Sequence, residues 1–323
     1  MPAALHRGCH RDMIAFGPVP SRRLGMSLGV NNIPPKICTY SCIYCQVGRT
    51  LGLSVERRGF YPPARVLNEV ERKISDAGDV RVDYITFVPD GEPTLDLNIG
   101  KEIDLLRTLG LRVAVISNAS LLWRPDVRED LMSADLVSIK IDAADDGMWR
   151  RINRPHHSLK LRTILDGIRE FAADYSGRLI TESMLIKDMN DCDESLRGIA
   201  EFLSEISPAT TYLSAPIRPP AERWVLPPVE ERLNAAYQIM SEFLDHVELL
   251  VSPESDLFVS SGDVGSDILS ITAVHPMREV ALRDLLARRG EDWMLVERLL
   301  KSGTLMETTY RGEKFYIRRI ESS

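Results

Sequence analysis

The sequence predicts an α/β fold built on a mainly parallel sheet, followed by a small unit of helices and a hairpin. Three observations carry this. β-Branched and aromatic runs alternate with amphipathic segments from residue 27 to residue 217, giving six strands with helices between them. A Ser/Gly/Asp-rich stretch at 252–266 then breaks the rhythm. Beyond it the pattern becomes three short helices and two strands. The chain therefore divides into a tail (1–15), a core with an extension (16–251), a linker (252–266) and a C-terminal unit (267–323).

The tail carries Cys9 and His6, either as a mobile end with a free thiol or as part of a second metal site. Pro and Gly punctuate residues 16–30, and 27–33 reads as the first strand, entering Cys38-Thr39-Tyr40-Ser41-Cys42-Ile43-Tyr44-Cys45. No helix or strand puts three thiols on one face at C-x3-C-x2-C spacing, but a tight loop folds them around one point. Three thiolates suit an iron–sulfur cluster. A four-iron cluster held by three cysteines leaves one iron open for a ligand. The alternatives are a zinc site or buried cysteines acting as small hydrophobes. Zinc knuckles favour a second C-x2-C pair or a histidine, and no second pair follows.

The cysteine spacing, with Tyr44 before the third thiol, resembles the radical S-adenosylmethionine (SAM) superfamily. That resemblance implies a 4Fe–4S cluster on Cys38, Cys42 and Cys45, with the amine and carboxylate of SAM on the open iron. It implies reductive cleavage of SAM to a 5′-deoxyadenosyl radical that abstracts hydrogen from a substrate. It also implies an electron donor of the flavodoxin or ferredoxin type, and a partial (β/α)6 TIM-type barrel with its chemistry at the C-terminal ends of the strands. The runs Ser21-Arg22-Arg23-Leu24-Gly25, Gln46-Val47-Gly48-Arg49-Thr50 and Val55-Glu56-Arg57-Arg58 resemble proteins grouped near the wyosine-base-forming enzymes, which modify a guanine in transfer RNA. The second cluster of those enzymes needs three further N-terminal cysteines. Only Cys9 is present here, so their reaction is not carried over. Arg22, Arg23, Arg57 and Arg58 are candidates for an anionic substrate or for simple surface solvation.

Residues 62–77 place Val66, Val70 and Ile74 at helical spacing. Strand 82–88 ends at Pro89-Asp90-Gly91-Glu92-Pro93. This resembles the superfamily's Gly-Gly-Glu motif, with Asp90 in place of the first glycine. The resemblance assigns the backbone at Asp90 and Gly91, and the Glu92 carboxylate, to the SAM amine; the alternative is an ordinary strand-to-helix turn. Helix 99–109 leads to strand 112–118, which ends in the candidate cofactor residues Ser117 and Asn118. Helix 121–132 leads to strand 136–142. There Val137, Ile139 and Ile141 share one face, and Ser138, Lys140 and Asp142 the other. A strand covered on both sides should be almost wholly apolar. Its polar face therefore marks either contact of Lys140 and Asp142 with SAM or an internal ion pair.

Residues 150–158 read as a loop, with Arg154, His156 and His157 as tentative substrate contacts; a solvated loop is the plain reading. Helix 163–175 precedes strand 178–187, which sets Glu182 and Met184 on one face, with Glu182 a candidate cofactor ligand. Helix 196–205 precedes strand 210–217, which ends at Ile217. That position corresponds to an apolar contact with adenine in the superfamily, or to a core isoleucine. Five prolines between 216 and 228 read as a non-helical crossing, followed by helix 230–244 and a further strand at 247–251.

Helices 267–273, 277–289 and 291–301 and a hairpin over 305–320 follow a winged-helix order. The segment 261–323 holds 10 basic and 10 acidic residues. A helix meant for a phosphate backbone should be net positive, so specific DNA binding is not expected. Docking, dimerisation or covering the barrel mouth fits better.

The 323 residues are 44% hydrophobic and 27% charged, with net charge −7, which describes an ample core and nothing globally basic. Five cysteines, three in one loop, make no disulfide framework. We expect a reducing, cytoplasmic setting. No apolar run approaches the ~18 residues of a membrane span. Two substrate classes remain open: an RNA nucleotide, or a small metabolite or peptide. An iron–sulfur sensor that binds DNA is the non-enzymatic alternative.

Overall fold

A computed structural model describes residues 14–251, 258 and 263–319. Cys9, His6 and most of the expected linker lie outside the described residues.

In chain order, β1 (Ala15–Ser21) turns back on β2 (Gly25–Val30), and β3 (Ile37–Cys38) pairs with β4 (Gly52–Leu53) across the cysteine loop. Then come α1 (Pro63–Asp76), β5 (Tyr84–Phe87), a 3-10 turn (Pro93–Leu95), α2 (Ile99–Arg107), β6 (Arg112–Ser117), α3 (Pro125–Leu131) and β7 (Leu136–Lys140). They are followed by α4 (Asp146–Asn153), α5 (Leu161–Asp174), β8 (Arg178–Met184), α6 (Asp193–Ile206), β9 (Thr210–Ser214), α7 (Glu230–Ser241) and β10 (Val247–Leu250). The eight-stranded sheet runs β1-β2-β5-β6-β7-β8-β9-β10, with all neighbours parallel except β1 and β2. The fold is thus α/β with a mostly parallel central sheet.

Strand alternation gives the sheet two different faces. Ile85, Val113, Val115, Val137, Ile139 and Leu179 pack outward with the helices in the main core. Leu24, Tyr84, Ala114, Leu136, Ile180 and Tyr212 form a second, smaller layer on the inner face. On the inner face of β7, β8 and β9 the same alternation continues into Lys140, Glu182 and Ser214 toward the C-terminal ends. An apolar floor and a polar mouth therefore follow from strand parity alone.

Three local readings need correction. Residues 15–21, read as punctuated coil, are an antiparallel edge strand. Prolines are tolerated at an edge, and the register shifts between Phe16 and Val19. Gly29 makes room for this strand, because a Cβ there would sit 2.0 Å from the Phe16 ring. Helix α3 starts only at Pro125: Arg124 is extended, as a residue before proline prefers. The loop expected at 150–158 is half helical. In α4 Asp145 caps the Met148 amide at 2.8 Å, and Trp149 and Ile152 are buried. Gly147 and the arginines mask that spacing in the sequence.

The C-terminal unit comprises α8 (Val264–Val274), β11 (Met277–Arg278), α9 (Glu279–Arg289), α10 (Met294–Lys301), β12 (Leu305–Tyr310) and β13 (Glu313–Arg318). Its sheet runs β11-β13-β12. The helix expected from residue 277 begins at Glu279 because Met277 and Arg278 pair with Tyr316 and Phe315. Ile268, Ile271, Leu282, Leu285, Val296 and Tyr316 form a separate core. The unit is docked on the larger one. Lys73 of α1 meets Asp267 of α8 at 2.7 Å, both buried, and the Tyr310 hydroxyl donates to the Pro216 carbonyl at 2.8 Å. Among the described residues no helix is long and apolar enough to cross a membrane.

Candidate active site

The cysteine loop is shaped by backbone bonds to α4 and the turn after it. The Ser41 amide donates to the Asn153 carbonyl (3.0 Å), Ile43 to Ile152 (2.9 Å), and His156 to Thr39 (2.9 Å). Inside the loop, Cys45 N–H donates to Cys42 (3.2 Å) and Gly48 N–H to Cys45 (3.1 Å). The segment that carries the tentative substrate contacts Arg154, His156 and His157 is therefore a clamp behind the cysteine loop.

Cys38, Cys42 and Cys45 line a cavity of about 270 Å3 at the C-terminal ends of the strands. Burial pushes the Cys42 thiol up to about 12, with the Asp142 charge adding to it, and burial likewise raises Cys38 and Cys45. Buried thiols of this kind ionise against a compensating positive charge, which iron supplies. Among the described residues no three His, Cys, Asp or Glu side chains gather to hold a single metal ion. A cluster takes its thiolates on separate irons, so this loop fits a cluster better than zinc. The Asn118 amide approaches Cys38 Sγ, and the Asn153 amide Cys42 Sγ, each at 3.5 Å. Donors to sulfur tune a cluster's potential. Sequence reasoning missed Asn153 in this role; it sits 111 residues from Cys42, and no local spacing announces it.

Gly91 and Glu92 form the next wall. A Cβ on Gly91 would lie 1.9 Å from the Ile37 carbonyl oxygen, so this position admits only glycine while β3 stays in place. Glu92 is buried. Its Oε1 accepts from Thr94 N (3.2 Å), Thr94 Oγ1 (2.6 Å) and Ser117 Oγ (2.7 Å), and its Oε2 from Asn118 N (2.7 Å). Burial raises the Glu92 carboxyl, and these bonds oppose the rise. Glu92 thus also caps the 3-10 turn, while Oε2 keeps room for one more donor. Asp90 Oδ1 is buried without a hydrogen-bond partner. Burial pushes the Asp90 carboxyl up to about 7, against the pull of Lys36 and Arg318.

Across the cavity stand Lys140, Glu182, Ser214 and Ile217. Glu182 pairs with Arg23 and with Lys140 at 3.4 Å, and accepts from Ser214 Oγ at 2.9 Å. Burial alone would raise its carboxyl, but Arg23 and Lys140 bring it down to about 2. Lys140 lies 5.3 Å from the centre of the Tyr44 ring.

Several expected residues stand elsewhere. Asp142 does not line the cavity. It accepts from Tyr44 Oη (2.5 Å), Asn153 Nδ2 (2.6 Å) and the Met184 amide (2.9 Å), and so fixes Tyr44 from behind. Arg154, His156 and His157 are also outside it: Arg154 is exposed and pairs with Glu222 at 2.5 Å, and His156 Nδ1 meets Ser158 Oγ at 2.8 Å. Arg57 is buried against Asp126 and Asp130 and is structural. Arg58 lies over the Phe60 ring. Arg22 and Arg23 do line the cavity, with Arg22 donating to the Leu250 carbonyl at 3.1 Å. Lys36, Gln46, Arg218 and Val274 join the lining unforeseen. Gln46 donates to Val274 at 2.8 Å and accepts from Arg218 at 2.9 Å, tying the cysteine loop to the end of α8.

Three thiols, a buried carboxylate on the neighbouring turn and a polar wall opposite surround one cavity, and comparison with known proteins gives the class of the protein. The sequence model of the radical SAM superfamily matches residues 32–202, and the chain belongs to that superfamily. It is 45% identical to a UPF0026 protein of Methanocaldococcus jannaschii over 96% of this chain and 97% of the relative, which places it among the UPF0026 proteins. A dual-specificity RNA methyltransferase of Syntrophotalea carbinolica is 23% identical over 65% of this chain and 54% of its own length. The structure of TYW1 with a lysine-pyruvate adduct bound superposes with TM-score 0.53 at 17% identity, covering 68% of this chain and 74% of that one. At that identity the likeness speaks for the fold. The protein is a radical SAM enzyme, and members of its family bind a 4Fe–4S cluster and SAM.

Proposed function

We propose that the enzyme uses its radical chemistry on an RNA nucleotide, with SAM seated between the Gly91–Glu92 turn and the Lys140–Glu182–Ser214 wall. The observation that carries the SAM position is the convergence of Cys38, Cys42, Cys45, Glu92, Asn118, Lys140, Glu182 and Ile217 on one cavity. When bound, the cluster supplies the electron that cleaves SAM and releases a 5′-deoxyadenosyl radical. The chain's own residues position and shield. Cys38, Cys42 and Cys45 would hold the cluster, with Asn118 and Asn153 donating toward the Cys38 and Cys42 sulfurs. Glu92 Oε2 and the backbone at Asp90 and Gly91 receive the SAM ammonium, a charge-assisted contact. Tyr44, braced by Asp142, and Ile217 exclude water from the reacting end. Lys140 and Glu182 hold polar groups of SAM.

RNA as the substrate is supported by the arginines at the mouth and by the resemblance to RNA-modifying relatives. The electron comes from a donor of the flavodoxin or ferredoxin type in the cytoplasm. Residues 267–323 are read as a winged-helix-like domain after a core of 16–251; its element order and its β11–β13 pairing support this.

The test is anaerobic 5′-deoxyadenosine formation after reduction, with total cellular RNA, peptide and metabolite fractions added in turn. Stimulation by the RNA fraction, lost on ribonuclease treatment, is expected. Stimulation by another fraction alone reassigns the substrate class. Replacing Cys38, Cys42 and Cys45 together by Ala removes the cluster, and with it the turnover.

A further inference from the structure

A second concavity of about 1060 Å3 opens beside the active-site cavity, between the β12–β13 hairpin, residues 219–223 and the cysteine loop. Lys36, Gln46, Val47 and Gly48 line both spaces, so the groove leads to the loop that carries the cluster ligands. Its charge is one-sided. Lys36, Arg223, Arg318 and Arg319 line it, and no Asp or Glu does. Lys36, Arg223 and Arg319 form no ion pair among the described residues, whereas Arg23, Arg49, Arg57 and Arg154 are matched to carboxylates. In a chain of net charge −7, a carboxylate-free groove with four cations is an organised exception. One wall adds the hydroxyls of Thr308 and Thr309 and the ring of Tyr310, whose Oη is anchored on the Pro216 carbonyl at 2.8 Å. Cations beside an anchored aromatic ring form the chemistry of a single-stranded nucleic-acid track.

We infer that this groove binds the phosphate backbone of single-stranded RNA and leads one nucleotide past Lys36 into the active-site cavity. The inference rests on the RNA reading above and adds the path of entry. It also assigns the C-terminal unit a role: its hairpin, and not α10, faces the substrate. An acidic electron-donor protein would seek the same charge. A concave space that shares Lys36, Gln46, Val47 and Gly48 with the reaction cavity favours an extended strand over a folded partner's convex surface.

The experiment measures binding of a fluorescein-labelled 12-nucleotide single-stranded RNA of mixed sequence by anisotropy, anaerobically, from low to physiological salt. The variants are Arg223→Glu/Arg319→Glu, the milder Arg223→Ala/Arg319→Ala, and Arg298→Glu/Lys301→Glu on the exposed face of α10. Both groove variants are expected to bind at least about 10-fold more weakly. The alanine pair should also flatten the plot of log K against log salt by about 1.4, at ~0.7 for each single-strand phosphate no longer neutralised. The α10 variant should bind like wild type. If wild-type protein binds the RNA but the groove variants match it in affinity and slope, the groove is overturned while the RNA reading stands. If wild-type protein binds no RNA at low salt, both fall. Weakened binding of a flavodoxin by the groove variants, with RNA binding intact, overturns the inference in favour of donor docking.

Discussion

Replacing Glu92 with Gln probes the turn that joins SAM to the cysteine loop. The substitution keeps shape and removes charge. Oε1 accepts three hydrogen bonds from Thr94 and Ser117, and Oε2 one from the Asn118 amide. A glutamine satisfies the three by placing its carbonyl oxygen at Oε1. Its NH2 then faces the Asn118 N–H, donor against donor. One buried amide left unpaired costs about 1–3 kcal/mol, and weakening the charge-assisted bonds adds about 1 kcal/mol. We therefore expect stability to fall by about 2–4 kcal/mol. The SAM ammonium loses a charged acceptor, a difference of about 1–2 kcal/mol, so affinity should fall about 5- to 30-fold. Because Asn118 Nδ2 reaches Cys38 Sγ, displacement of Asn118 should also alter the spectrum of the reduced cluster, with iron content unchanged. Anaerobic equilibrium dialysis with SAM, urea unfolding and electron paramagnetic resonance read the three effects. SAM affinity within twofold of wild type would refute the reasoning and leave Glu92 as the cap of a turn.

Gly91→Ala puts a methyl group 1.9 Å from the Ile37 carbonyl oxygen. It should displace the strand that ends at Cys38, so iron content after reconstitution should drop severalfold; full occupancy would show that β3 yields. Lys73→Met and Asp267→Leu each break a buried ion pair and should cost about 3–5 kcal/mol singly, while the double variant should recover most of that stability; urea unfolding checks the cycle. Asp90→Asn tests a pH effect. The folded carboxyl titrates near 7, above the ~3.9 of an unfolded aspartate, so the wild type binds this proton more tightly when folded. Its contribution to stability is present below pH ~4 and is lost as pH rises toward 7. The variant should match wild type near pH 4 and exceed it by about 2–4 kcal/mol at pH 8; equal stability at both pH values would contradict the burial argument.

The sequence alone determined much of this protein. C-x3-C-x2-C is a local constraint, because three thiols within eight residues lie close along the chain. The alternation of strands and helices is local too. Together they predicted a mainly parallel sheet of alternating strands and helices, named three candidate cysteine ligands, and marked the turn at Asp90-Gly91-Glu92. Strand parity also brought Lys140 and Glu182 to the same wall.

Tertiary structure decided what those side chains face. Asp142 shares strand parity with Lys140, yet it follows the last paired residue of β7, where the chain leaves the sheet, and it turns behind Tyr44. The cations of 150–158 were candidate substrate contacts in sequence. Backbone bonds from the cysteine loop hold that segment outside the cavity, and its arginine finds Glu222, 68 residues away. Asn153 reaches Cys42, and Val274 reaches the cavity wall, only because α4 and α8 dock where they do. A one-dimensional pattern records which face of a strand or helix a residue occupies. Which partner meets that face is set by packing between elements far apart in the chain, and at this site that packing separates the residues lining the cavity from those that hold its walls.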